Sequence, residues 1–217
     1  MRVSTKGTRT ARTHTSSPAT TWGERQRLSS SFANASADSG RSPDGPLERL
    51  DEALDLRPDD GELRLFAAEA HARVGRFDAA RAQLAAAKGK TKRTSWLRQE
   101  AEIEGYAGAP GSAMDSWRSV LEEEPLAIDA HTAIANLLAA TEGPGAAVAH
   151  LDAAGERFPY HQELQRLRLA SLRQQDPQRA VELAGRICEH HPEDAWTRKE
   201  RALLLQRLGR TAEAFAE

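Results

Sequence analysis

Cys188, His190 and His191 gather a thiol and two imidazoles just before Pro192, the densest grouping of metal-ligating side chains in the sequence. A thiolate with two imidazoles is chemistry that suits zinc. Adjacent histidines on a helix point about 100° apart, however. No second Cys-x-x-Cys or His-x-x-x-His pair completes a tetrahedral set. Cys188 is therefore expected to pack inward beside Ile187, with the imidazoles at a helix C-terminus where positive charge suits the dipole, and no metal is expected. His131, His150 and His161 read as scattered. A Gly-x-Ser-x-Gly elbow, a Walker loop and a dinucleotide fingerprint are all missing from the sequence. Gly105, Gly108 and Gly111 are spaced in threes but follow no strand and are interrupted by Pro110, so they read as a turn between helices. These observations predict no catalytic residue and no cofactor, and the chain reads as a non-enzyme.

The elements that position these residues follow from a repeated slot. Arg57-Pro58, Thr91-Lys92, Glu124-Pro125, Phe158-Pro159 and His191-Pro192 each end a helical pattern, and the second residues of the pairs lie 34, 33, 34 and 33 positions apart. A fixed period of this length marks stacked helical hairpins, each hiding its apolar face against the next. From Pro46 onward apolar residues recur three and four apart, as in Leu47, Leu50 and Leu54. The pattern predicts a half repeat at 46–58, repeats at about 61–93, 94–127, 128–160 and 161–194, and a partial repeat at 195–217. Asp59-Asp60-Gly61-Glu62 supplies a capping acid with a glutamate three residues on, and Asp176 caps a helix that Pro177 starts. The last pattern stops at Glu217 with no polar helix over its apolar face, which predicts a continuation, self-association through that end, or fraying of the last helix.

Composition agrees with this architecture. The chain is 39% hydrophobic and 29% charged, with 5% aromatic residues, which suits alanine- and leucine-rich helices better than strands. One cysteine excludes an internal disulfide framework, so the cytoplasm is the expected compartment. No apolar run is long enough to span a membrane. Residues 1–45 are rich in Ser, Thr, Gly and Arg and too poor in apolar residues to offset chain entropy, so a disordered N-terminal tail is expected there. That segment carries seven basic and three acidic residues, net +4, against −2 for the whole chain, leaving −6 for the remainder. Its charges are too scattered to predict nucleic-acid binding.

Ala67 and Ala68, then Gly75, Phe77, Ala80, Leu84 and Ala87, form a ladder of small and large residues around a turn glycine. Later hairpins repeat it with Leu97, Ala101, Trp117, Val120, Ile134, Ala135, Leu151, Leu164, Ala180 and Ile187. This ladder resembles the tetratricopeptide repeat, in which small residues let paired helices cross closely and large ones fill the space to the next hairpin. The resemblance implies an all-α fold: a right-handed superhelical array of antiparallel hairpins, a tetratricopeptide-like α-solenoid. It also implies a binding scaffold whose first helices line a concave groove, and it places His71 where an aromatic packs.

Mapped by register, the groove residues implied include Tyr106, Thr132, Asn136, Leu169, Arg173, Trp196, Lys199 and Arg207. Asn136 matches a position used by chaperone-binding relatives to hold a terminal carboxylate, but Thr132 stands where they carry lysine, so that clamp is not expected. The implied partner is a protein or peptide that is acidic with apolar anchors. The alternative is an arm of a larger multidomain enzyme, such as a glycosyltransferase, with catalysis encoded elsewhere.

Overall fold

The structure, a computed structural model, describes residues 44–215. Most of the tail expected at 1–45 lies outside the described residues, but helix α1 (Asp44–Leu56) begins two residues before the expected Pro46. Ten further helices follow: α2 (Gly61–Arg73), α3 (Phe77–Ala87), α4 (Arg93–Tyr106), α5 (Pro110–Glu123), α6 (Ile128–Thr141), α7 (Pro144–Arg157), α8 (Gln162–Gln175), α9 (Pro177–His190), α10 (Ala195–Arg207) and α11 (Thr211–Ala214). Among the described residues there is no strand. Consecutive helices pack as antiparallel hairpins, giving an α-solenoid.

Local chemistry sets the helix ends. Asp60 Oδ1 accepts from the Leu63 amide at 3.0 Å and Asp176 Oδ1 from the Arg179 amide at 3.0 Å, satisfying N–H groups that a helix start leaves unpaired. First helices end in a reversal where an amide reaches back five residues: Arg76 to His71, Ala109 to Glu104, Gly143 to Leu138 and Arg210 to Leu205, all at 2.9–3.0 Å. Gly75 sits in such a turn with φ of 79°, a conformation that penalises a Cβ. Second helices α5, α7 and α9 close on Glu124, Phe158 and His191, whose amides bond four residues back, and Pro125, Pro159 and Pro192 then stop the helix. The exceptional slot at Lys92 corresponds to a longer joint, in which α3 ends at Ala87 and α4 starts only at Arg93.

The core is shared between neighbouring hairpins. One cluster joins Leu65, Ala68, Ala80, Leu84 and Ile103 across α2–α4. A second joins Trp117, Ile134 and Leu151 across α4–α7, and a third Leu169, Leu172, Leu183, Ile187 and Leu205 across α8–α10. Ala67, Ala68, Ala80, Ala130, Ala180 and Ala184 are fully buried, as close helix crossings demand. Trp96 belongs to α4 yet donates its Nε1–H to the Leu84 carbonyl at 2.7 Å, capping an acceptor that the end of α3 leaves open. Each hairpin thus shares its core with its neighbours as well as burying residues between its own two helices.

Candidate functional site

The helices α2, α4, α6, α8 and α10 open their hairpins, and each leaves one stripe unburied. On α10 the stripe is Trp196, Lys199, Leu203, Gln206 and Arg207, with Thr197, Leu204 and Leu205 buried behind it. On α6 it runs through Asp129, Thr132, Asn136, Ala139 and Ala140, and on α4 through Ser95, Arg98, Glu102, Gly105 and Tyr106.

The expected register fails on α8. Leu169 is 0% exposed and packs with Leu172 in the third core cluster, so it offers nothing to a partner. The open residues of α8 are Glu163, Arg166, Ala170, Arg173 and Gln174, one position later. Asp129 and Glu163 are 34 apart, whereas the expectation counted 33 across this junction, and one residue on a helix turns a side chain by about 100°. Arg173 keeps its place on the stripe.

The α8 and α10 stripes lie side by side. Arg166 gives Nε and Nη2 to the Asp194 carboxylate at 2.8 and 2.6 Å, and its guanidinium stands 5.6 Å from the centre of the Trp196 ring. Asp194 caps α10 through the Thr197 amide at 3.0 Å, and it also accepts from Thr197 Oγ1 at 2.6 Å and Gln162 Nε2 at 3.1 Å. Burial pushes the Asp194 carboxyl up, but Arg166, Thr197 and Gln162 overcome this and hold it well below the usual carboxylate range. Arg173 Nη1 donates to Glu200 at 3.3 Å, and Arg207 Nη1 donates to the Arg173 carbonyl at 3.3 Å. The groove end is therefore less basic than its arginine count suggests. Lys199 and Arg207 have no carboxylate partner among the described residues. Beside them stand Trp196 and Leu203, 39% and 49% exposed.

The remaining expected site residues divide from this group. Tyr106 is 53% exposed at the end of α4. Between it and α8 lies α6, where Asn136 is exposed and Thr132 donates its hydroxyl to the Ile128 carbonyl of its own helix at 2.7 Å. Near them Arg98 bridges Asp129 and Glu124, each at 2.6 Å, and those bonds raise its pKa against the opposing effect of burial.

Two histidines read as scattered in fact meet. His131 Nδ1 lies 3.2 Å from His150 Nε2, while His131 Nε2 lies 3.0 Å from the Pro125 carbonyl. A carbonyl only accepts, so His131 Nε2 carries the proton, its Nδ1 accepts, and His150 Nε2–H donates. Burial, then the nearby His131 and Arg118, push the His150 pKa down to about 4. Cys188, His190 and His191 do not converge: His190 meets the Tyr160 ring edge-on at 5.1 Å, and His191 Nδ1 lies 3.7 Å from Glu193. Among the described residues no group of three or more His, Cys, Asp or Glu side chains could hold a metal ion, and no helix is long and apolar enough to cross a membrane.

Residues 42–96 match the family model described as tetratricopeptide repeat. Over that stretch the chain carries tetratricopeptide-repeat sequence. The C-terminal part of a tetratricopeptide-repeat-containing protein from Cytophaga hutchinsonii superposes with a TM-score of 0.54 at 10% identity, covering 73% of this chain and 63% of that one, which is a likeness of fold. YrrB, described as a tetratricopeptide-repeat protein with an unusual peptide-binding site, gives 0.45 at 15% identity, covering 77% and 88%. The MamA protein gives 0.48 at 13% identity, covering 73% and 88%. No curated protein matches significantly. Register alone did not reveal Arg166 and Asp194, which organise the α8–α10 surface. The only signal was an acid two residues after Pro192 and three before Thr197, the spacing of a helix cap.

Proposed function

We propose that the chain is a non-catalytic interaction scaffold that binds an extended or helical segment of a partner protein along the open stripes of its first helices, most strongly across α8 and α10. The observation that carries this reading is the α10 stripe, where Trp196 and Leu203 stand half-exposed between Lys199 and Arg207, two cations without a carboxylate partner among the described residues. Arg166 covers part of the Trp196 ring, and the apolar surface that Trp196 and Leu203 leave in solvent can serve as an anchor in a largely preformed site. The complementary segment carries apolar side chains for Trp196, Leu203 and the floor at Ala170, with Asp or Glu spaced to reach Lys199 and Arg207.

The test is fluorescence polarisation with labelled twelve-residue peptides that intersperse Glu with Leu and Phe, beside a set in which Lys replaces Glu. The acidic set binds and the basic set does not, and Lys199→Glu combined with Arg207→Glu weakens the acidic peptides at least about tenfold. Equal binding of both sets, or an unchanged affinity in the double variant, refutes the reading.

A further inference from the structure

A second surface lies on the other side of α8. Arg166 belongs to the stripe, and Arg168, two residues on, is turned by about 200° from it. There the end of α7, the middle of α8 and the last turns of α9 surround a cavity of ≈ 320 Å³ lined by Gly155, Gln165, Arg168, Arg186 and His190, with Glu156 at its rim. Arg168 is 8% exposed, and its Nε donates to Asp152 Oδ1 at 2.6 Å. The other oxygen of Asp152 accepts from Arg179 at 2.9 Å, so one carboxylate serves two guanidiniums and one positive charge is left over. Arg186, exposed on α9, adds a cation with no acidic partner among the described residues, while Glu156 subtracts one charge.

Two details shape the cavity for an anion. A Cβ on Gly155 would stand 2.9 Å from Arg168 Cδ and 3.2 Å from its Nη1, so the glycine admits the guanidinium to the cavity wall. The C-terminal carbonyls of α7 would otherwise repel an anion. Gln165 Nε2 donates to two of them, Gly155 O at 2.8 Å and Phe158 O at 3.1 Å, and so engages those acceptors.

We propose that this cavity is a binding site for an oxyanion, a carboxylate or a phosphoryl group, held between the Arg168 and Arg186 guanidiniums. Forked guanidinium donors match both groups geometrically. The site faces away from the α8–α10 stripe and does not depend on what that stripe binds.

The test titrates the full ¹⁵N-labelled chain with sodium phosphate and, separately, with sodium acetate, replacing chloride at constant ionic strength. Saturable amide shifts at Gly155, Glu156 and Arg186 to His191 are expected with at least one of the two anions. A response to phosphate alone assigns a phosphoryl ligand, and a response to both assigns oxyanions generally. Arg186→Gln weakens the response about tenfold, whereas Arg49→Gln on α1 leaves it unchanged. Thermal unfolding by circular dichroism checks that both variants are folded. Shifts that never saturate with either anion, or that are the same in Arg186→Gln and the parent, overturn the proposal.

Discussion

Asp194 is 2% exposed and ties α8 to α10, so its removal tests the packing of the C-terminal hairpins quantitatively. In Asp194→Ala, α10 loses its cap, which costs about 1 kcal/mol. Thr197, itself fully buried, keeps a hydroxyl with no acceptor, which costs about 1–3 kcal/mol. Arg166 is partly solvated, so its lost ion pair counts for only about 1 kcal/mol. The variant should therefore be about 3–5 kcal/mol less stable. Asp194→Asn retains a capping oxygen but turns the second acceptor into a donor that faces Arg166 Nε and Gln162 Nε2, so it should cost about 2–3 kcal/mol. Urea unfolding followed by far-ultraviolet circular dichroism measures both. Because each hairpin is held by its neighbours, hydrogen exchange should accelerate chiefly in α10 while α2–α5 stay protected. The carboxyl is depressed in the folded state, so its stabilisation is fully present above the unfolded pKa of about 3.9 and is lost as pH falls toward the lower folded value. The gap between Asp194→Asn and the parent should be constant above about pH 5 and close below pH 4. A loss under about 1 kcal/mol in Asp194→Ala, or exchange that accelerates evenly along the chain, refutes the reasoning.

Further outcomes follow from the same geometry. His150 binds its proton less readily when folded, so the unfolded state takes up more protons as pH drops from about 6.5 to 4, and stability should fall by about 3 kcal/mol over that window; urea midpoints against pH should show a shallower fall in His150→Gln. Leu169→Ala should cost about 2–5 kcal/mol in urea unfolding as a core cavity, whereas Leu203→Ala should cost under about 0.5 kcal/mol and act on peptide affinity instead. Gly75→Ala forces a Cβ into a left-handed turn and should destabilise by about 1 kcal/mol, seen as a drop in thermal midpoint.

The hairpins were legible because helical periodicity and the proline slot are both local. Asp176 announces its helix beside Pro177, the Asp59-Asp60 pair announces another although the bond falls to Asp60 rather than to the acid three before Glu62, and Pro125, Pro159 and Pro192 stop theirs for want of an N–H. Leu169 was misplaced because a 33–34 residue period carries an uncertainty of one residue, and one residue moves a side chain a quarter-turn or more from solvent to core. The pairs Arg98–Asp129, Arg166–Asp194 and Arg168–Asp152 join residues 31, 28 and 16 positions apart. Periodicity fixes which helices are neighbours, but long side chains choose among several acids within reach. His131 and His150 met for a similar reason: their sequence positions gave no sign that the crossing of α6 and α7 brings two rings together.

The spacing of charged staples along the array has a mechanical meaning. Arg98 ties α4 to Asp129 of α6, and Arg166 ties α8 to the cap of α10. The equivalent residue midway is Thr132, which bonds only its own helix. On the far side of the same junction, Asp152 of α7 clamps both α8 and α9 through Arg168 and Arg179. Among the described residues, the joint between α6 and α8 is thus bridged by ion pairs along one edge and by none along the other. A load that spreads the open stripes should meet least side-chain resistance at that joint, while the Asp152 edge holds its helices together.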